Sequence, residues 1–350
     1  MTSFYSDLEE RAFWKTGVAD KSALALADLY RKKWDIQPDW KIGTAGSCFA
    51  QHIARHMRQN GYSVLDVEPA PMGLAPELHQ SFGFGMYSGR YGNLYTTRQF
   101  RQLIASAFDK DPEPYLIWEK GGRFFDVMRP NIEPAGFESR EEAVLARDYH
   151  LERLRELFLT ADVFVFTMGL TEAWVHRESG RVVPLAPGVV AGEDVADEYV
   201  FENFSLEDVV SEFRAAMDLL RSVRRGQDMR FLLTVSPVPL TATATGQHVL
   251  AASTYSKAVL RTAAGQLCES HDTVDYFPSF EIITNPAARG TFFAPNLRSV
   301  LKEGVDVVMK TFFAAHPPQI TELGTEAEPA PARNVDDVQC DEQMLEAFGR

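Results

Sequence analysis

Cysteine is scarce in this chain. Only Cys48, Cys268 and Cys340 occur among 350 residues, too few for a disulfide framework, and a reducing cytoplasm is the location such usage points to. Long apolar runs are missing too: no stretch approaches the roughly 20 residues that a membrane-spanning helix needs. The opening MTSFYSDLEERAFWK carries acidic residues and no apolar core, unlike a secretory signal. Basic residues are outnumbered, 35 Lys and Arg against 49 Asp and Glu, for a formal net charge of −14. That balance argues against nucleic acid or an anionic membrane as partner, because both select clustered Lys and Arg. No His or Cys cluster shows metal-ligand spacing apart from the pair His52 and His56, which lacks a third ligand. No glycine-rich phosphate cradle is present either, so no metal and no cofactor is expected.

What is present is an ordinary globular composition, 45% hydrophobic and 24% charged. Short apolar, β-rich runs fall at residues 41–45, 62–67, 163–168, 230–235 and 273–277. Helical patterns lie between them at 49–59, 97–108, 140–159, 206–223 and 254–269, and a last one spans 297–315. Ser139 with Glu142 and Ser205 with Asp208 have the spacing of helix caps. Five strands alternating with helices predict an α/β fold: a three-layer, doubly wound, parallel five-stranded sheet with loop insertions at 68–96 and 178–204. Residues 1–40, rich in aromatics and with a helical pattern at 21–33, are expected to wrap the main domain of residues 41–316. The acidic, Pro- and Ala-rich residues 317–350 are expected to be a disordered tail.

The chain is organised around KIGTAGSCFAQHIARH, residues 41–56. A strand feeds a helix through a glycine turn, with Ser47 at the bend, where the helix presents unpaired N–H groups and the positive end of its dipole. The pentapeptide GSCFA at 46–50 resembles the signature of the GSCFA domain family, whose members are similar to SGNH/GDSL hydrolases. Further blocks strengthen the resemblance: TTRQF after Tyr91-Gly92-Asn93, VFVFTMGLTEAW from Val163, LTVSPVPL from Leu233, TYSKAVLR from Thr254 and VDYFPSFEI from Val274. The resemblance implies a sheet of SGNH-hydrolase type and a nucleophilic role for Ser47.

A serine hydroxyl needs a base to take its proton and an acid to orient that base. The plain alternative for Ser47 is a helix cap. Cys48 is a rival nucleophile next door, although a small apolar residue of this kind more often packs inward. SGNH hydrolases carry a histidine three residues after an aspartate in a late loop. The corresponding stretch here is FAPNLRSV from Phe293, with Asn296 at the acid position and Ser299 at the histidine position. Neither replacement does the same acid–base work.

Among the eight histidines, His248 is the preferred base. It follows the fourth strand on the carboxyl face of the sheet, where Ser47 must also lie; His52, His56, His79, His176, His271 and His316 remain as other choices. His150, mid-helix among charges, reads as a solvated surface residue. Glu281 is the preferred orienting acid, with Asp275 and Glu172 as alternatives. An oxyanion hole is expected from the Ser47 N–H together with Gly92, Asn93, Gly169 and Thr171; Thr171 stands where the third SGNH block has its asparagine. Glu172 belongs to the same loop and, if buried, needs a partner such as Arg98 or Lys257. Arg129, Arg298 and Lys257 are candidate clamps for an anionic substrate. The function these residues point to is a serine-dependent esterase or O-acyltransferase with an acyl-enzyme on Ser47. Its substrate class, an acylated small molecule or carbohydrate, is implied by the resemblance. The other reading is a carbohydrate- or protein-binding module on a degenerate fold, supported by Asn296 and Ser299.

Overall fold

Alternate side chains of the apolar runs enter two different cores. Phe164, Phe166 and Met168 pack in one with Phe231, Leu233 and Val235; Val165 and Leu232 pack in the other, which is the two-sided alternation of a buried strand. The structure, a computed structural model, describes residues 4–24, 28–110, 114–318 and 341–349. In chain order its elements are β1 (Ile42–Gly46), α1 (Phe49–Gln59), α2 (Thr97–Ala107), β2 (Ile117–Lys120), β3 (Arg123–Asp126), α3 (Arg140–Thr160), β4 (Val163–Met168), β5 (Glu172–His176), β6 (Val182–Val183), β7 (Tyr199–Asn203), α4 (Leu206–Val223), β8 (Arg230–Val235), α5 (Val249–Ser270), β9 (Val274–Tyr276), α6 (Ser279–Thr284) and α7 (Lys302–Ala315).

The central sheet is parallel, in the order β1-β4-β8-β9. Helices α2 to α5 bury Phe100, Leu154, Phe213 and Leu260 against one face. Helices α1, α6 and α7 bury Ile53, Ile282 and Phe312 against the other. The mixed α/β class and the two helical layers agree with the sequence pattern.

The sheet has four strands rather than the five expected. Residues 62–67 are reduced to a single parallel bridge, Val64 to Ile42, flanked by hydrogen bonds between Ile42 and Ser63 and between Leu65 and Ile42. This segment lies at the sheet edge with one neighbour only. Its next amide, Val67 N–H, donates to Ser88 in the following loop instead of extending the ladder.

Beside the central sheet lie two small antiparallel sheets that the pattern did not reveal. β2 and β3 form a hairpin whose two turn residues, Gly121 and Gly122, have φ of +59° and +74°, the conformation that matches the twist of paired strands. β6, β5 and β7 form a second sheet. It is joined to the hairpin through Trp118, whose indole N–H donates to the Tyr199 hydroxyl at 3.1 Å.

Helix starts are set locally. Thr96 and Gln99 form a capping box at α2, Ser205 and Asp208 do the same at α4, and Ser139 caps α3. α5 begins at Val249, five residues earlier than the pattern suggested, and α7 begins at Lys302, five later. The delay has a visible cause: Phe293 and Val300 pair, and Leu301 N–H donates to Phe292, so residues 292–301 close as a loop.

In the N-terminal segment Tyr30 and Ile36 are buried in the α7-side core, while Phe4, Tyr5 and Trp14 are exposed. The helical pattern at 21–33 is not realised among the described residues. The expected disordered tail falls largely on residues 319–340 and 350, outside the described residues. Asp341–Phe348, however, forms a 3₁₀ segment that puts Asp341 out of solvent. Among the described residues no helix is long and apolar enough to cross a membrane.

Candidate functional site

Ser47 sits where β1 turns into α1, at the carboxyl edge of the sheet, the side on which open α/β sheets place their sites. The turn depends on Gly46. Its φ is +139°, and a Cβ there would stand 2.4 Å from the Thr167 carbonyl oxygen of the neighbouring strand. The close approach lets the Ser47 N–H donate to that same oxygen at 3.0 Å. This corrects the expected oxyanion hole, because the Ser47 amide is already committed to the sheet.

The Ser47 side chain does not cap α1. Cys48 holds the N-cap position, and no side-chain cap bond is made. Ser47 is 2% exposed, and its Oγ has no hydrogen-bond partner among the described residues. A buried hydroxyl in that condition is unusual, since such groups are nearly always satisfied.

Ser47 lines a cavity of about 220 Å³ together with Cys48, Tyr95, Gly169, Ser236 and Lys257. Strand ends, the loop before α2 and helix α5 supply these residues. Gly169 follows β4 and must be glycine: a Cβ would lie 2.7 Å from the Tyr95 ring and 3.2 Å from Ser47 Cβ. Ser236 follows β8, and its N–H donates to Met168 at 2.9 Å. Lys257 reaches in from α5, 6% exposed, and its Nζ donates to the Gly169 carbonyl at 2.5 Å.

A larger groove of about 800 Å³ shares Tyr95, Leu170 and Leu240 with this cavity. Trp174 and Phe201 line it, their rings edge to face at 5.8 Å, together with Glu172 and Thr243.

The other expected residues have separate partners. His248 is exposed at the N-cap of α5, where its Nδ1 accepts the Leu250 N–H at 3.2 Å. Glu281 pairs with Arg261 at 2.5 Å and accepts the Tyr276 hydroxyl at 2.7 Å. Neither lines the Ser47 cavity, nor does any other of the eight histidines. Asp275 accepts from the Tyr30 hydroxyl and the Lys33 N–H. Burial, with Arg55 and His56 nearby, pushes His52 down to about 3. His150 is not a surface residue but is fully buried.

Gly92 turns at φ +68° beside Asn93. The Asn93 Oδ1 lies 2.5 Å from the Tyr87 hydroxyl, and its Nδ2 donates to Asp341 at 2.8 Å. Thr171 is buried, its hydroxyl donating to Asn203 at 2.7 Å. Glu172 takes neither expected partner: Thr243 and Ala244 N–H donate to it, while Arg98 serves Glu202 and Glu212. Arg129 is a buried partner of Asp126 at 2.7 Å, and Arg298 donates to the Pro239 carbonyl. Asn296 accepts the N–H groups of Arg298 and Ser299 and donates to Ser299 Oγ at 3.0 Å, so the would-be acid and base positions close on each other as a turn.

Sequence reasoning named Lys257 only as a clamp or a partner of Glu172, and it missed Ser236 and Asp341 as neighbours of the site. The first two lie in the blocks TYSKAVLR and LTVSPVPL, which was the available signal. Their distance from Ser47 along the chain hid their convergence. Among the described residues no group of three or more His, Cys, Asp or Glu is arranged to hold a metal. The sequence profile of the GSCFA family matches residues 41–312. No curated protein and no solved structure matches the chain.

Proposed function

The chain belongs to the GSCFA family, and from that premise we propose that it is a serine-dependent esterase or O-acyltransferase acting on an acylated small molecule or carbohydrate. The observation that carries the reading is the Ser47 hydroxyl, buried without a partner in one small cavity with Lys257. Serine with lysine as its base is a known variant of the serine–histidine arrangement. A neutral amine has two N–H bonds and a lone pair. One N–H serves the Gly169 carbonyl, and the lone pair takes the Ser47 proton. The role requires the neutral amine.

Ser47 Oγ then bonds to the acyl carbon. The carbonyl pair moves onto oxygen and returns as the alkoxide leaves, taking the proton from Lys257. Water, or a sugar hydroxyl in the transferase case, releases the acyl group by the same steps with Lys257 again as base. Ser236 would meet the oxyanion in this reading: its oxygen accepts the Val238 N–H, which leaves its own O–H to donate. The aromatic walls of the adjoining groove suit a sugar ring.

A second reading, a non-catalytic carbohydrate- or protein-binding module, draws on Asn296 and Ser299 closing on each other where an acid and a histidine would stand. A fluorophosphonate probe separates the two. Labelling of the wild type that Ser47→Ala removes supports the enzyme; an inert, folded wild type overturns it in favour of the binding module.

A further inference from the structure

The C-terminal segment places a carboxylate where a ligand would sit. Asp341 is 5% exposed. Asn131 Nδ2 donates to its Oδ1 at 2.7 Å, and Asn93 Nδ2 donates to its Oδ2 at 2.8 Å, one amide for each carboxylate oxygen. The cavity around them, about 320 Å³, includes Gly92, Arg129 and Pro184. Pro184 also lines the large groove, as does Leu345 from the same segment as Asp341.

A residue outside the C-terminal segment helps to hold the Asn93 amide. The Tyr87 hydroxyl, 2.5 Å from Asn93 Oδ1, is a donor there and so turns the Asn93 Nδ2 toward the cavity. The same hydroxyl lies 3.1 Å from the Ser47 carbonyl, which ties the subsite to the nucleophile's turn. Asn93 and Asn131 lie inside the stretch matched by the family profile, residues 41–312, and Asp341 lies outside it. The receptor therefore belongs to the family domain and the occupant to an appendage.

The Asn93 backbone N–H also bonds the Asp341 carboxylate. Residues 346–349 are exposed, with Phe348 at 65%. The two amides are neutral, Arg129 is committed to Asp126, and among the described residues Asp341 makes no ion pair. Burial raises its pKa accordingly.

We propose that Asn93 and Asn131 form a carboxylate-binding subsite beside the groove, filled in the resting protein by the chain's own Asp341, and that its external ligand is a carboxylate-bearing small molecule of the size of an acidic sugar. An external carboxylate binds by displacing Asp341, so its apparent affinity is the intrinsic affinity multiplied by the fraction of molecules in which Asp341 is undocked. The inference does not depend on the chemistry assigned to Ser47.

The test uses full-length protein and D-glucuronate as probe, with glucose as the neutral control, read by titration calorimetry and by the shift in Tm. Asp341→Ala should bind glucuronate at least about tenfold more tightly than wild type and gain Tm with it. The double variant Asp341→Ala with Asn131→Ala should lose that response. Asp341→Asn, which removes the charge and keeps the size, gives the same comparison where the alanine protein fails to accumulate. Equal responses in wild type and Asp341→Ala, no response in either Asp341 variant, a matching response to glucose, or an undiminished response in the double variant each overturns the subsite. None of these outcomes touches the fluorophosphonate labelling of Ser47.

Discussion

His150 Nδ1 lies 2.7 Å from a Glu68 carboxylate oxygen, with both side chains shut away from water. Burial lowers His150 to about 4 although Glu68 pulls the other way. Burial alone would raise Glu68, but the bond from His150, the Arg129 charge and the Arg90 N–H hold the carboxyl below its usual value. At neutral pH the pair is therefore a neutral imidazole donating Nδ1–H to a carboxylate. It fastens the start of the long loop after residue 67 to α3.

Acid should unfold this protein early. Burial lowers His52 to about 3 and His316 to about 4, as it lowers His150. Each folded value lies below the unfolded one near 6.5, so the unfolded chain takes up protons first as pH falls. The stability these groups contribute is whole above about pH 6.5 and drains away toward pH 4. Urea unfolding at about pH 7 and about pH 5 should differ by on the order of a few kcal/mol; a flat profile would show that the three imidazoles are not held neutral.

Lys257→Met should slow fluorophosphonate labelling of Ser47 by at least about a hundredfold, the scale of a lost general base, with Lys257→Arg equally poor because arginine stays protonated. In the wild type the labelling rate should climb with pH as the amine loses its proton. If Lys257→Met reacts at the wild-type rate, the lysine only holds the Gly169 carbonyl.

Gly46→Ala should cost more than about 3 kcal/mol, since the new Cβ meets backbone at a φ that side chains avoid. Gly92→Ala makes the contrast. Its φ is +68° with nothing within 4 Å of the added carbon, so only the left-handed backbone penalty of about 1 kcal/mol applies. Denaturant midpoints measure both, and equal losses would refute the steric account.

Arg98 joins three elements: it bonds Glu202 on β7 and Glu212 on α4 from its place on α2, and it lies 4.2 Å over the Phe204 ring. Arg98→Ala should lower stability by about 1–2 kcal/mol after allowance for its partial exposure. Ser47 labelling should be unchanged. A loss of labelling without a loss of stability would move Arg98 into the site.

The sequence carried the parts of the fold that neighbouring residues decide. Short apolar, β-rich runs at 163–168 and 230–235 marked buried strands to the residue. Ser139 and Ser205 marked helix starts, because a cap is satisfied within one turn. Residues 62–67 have the same apolar pattern as a central strand, yet at an edge that pattern does not dictate how far pairing runs. The 178–204 insertion looked like a loop because the strands of β5, β6 and β7 are short and find their partners across it.

By itself the chain determined that a strand turns into a helix at Gly46 and Ser47, and that the domain around them is α/β. Both follow from local backbone geometry and from the period of apolar side chains. Tertiary structure alone decided what surrounds the Ser47 hydroxyl. Lys257 and Ser236 enter its cavity because parallel order β1-β4-β8 brings the ends of strands far apart in sequence side by side. His248, at the far end of α5's first turns from Lys257, became a helix cap instead. His150 and Asp341 make the same point from the other side: a polar residue's sequence neighbours say nothing of whether a distant Glu68 or Asn93 will satisfy it once it is buried.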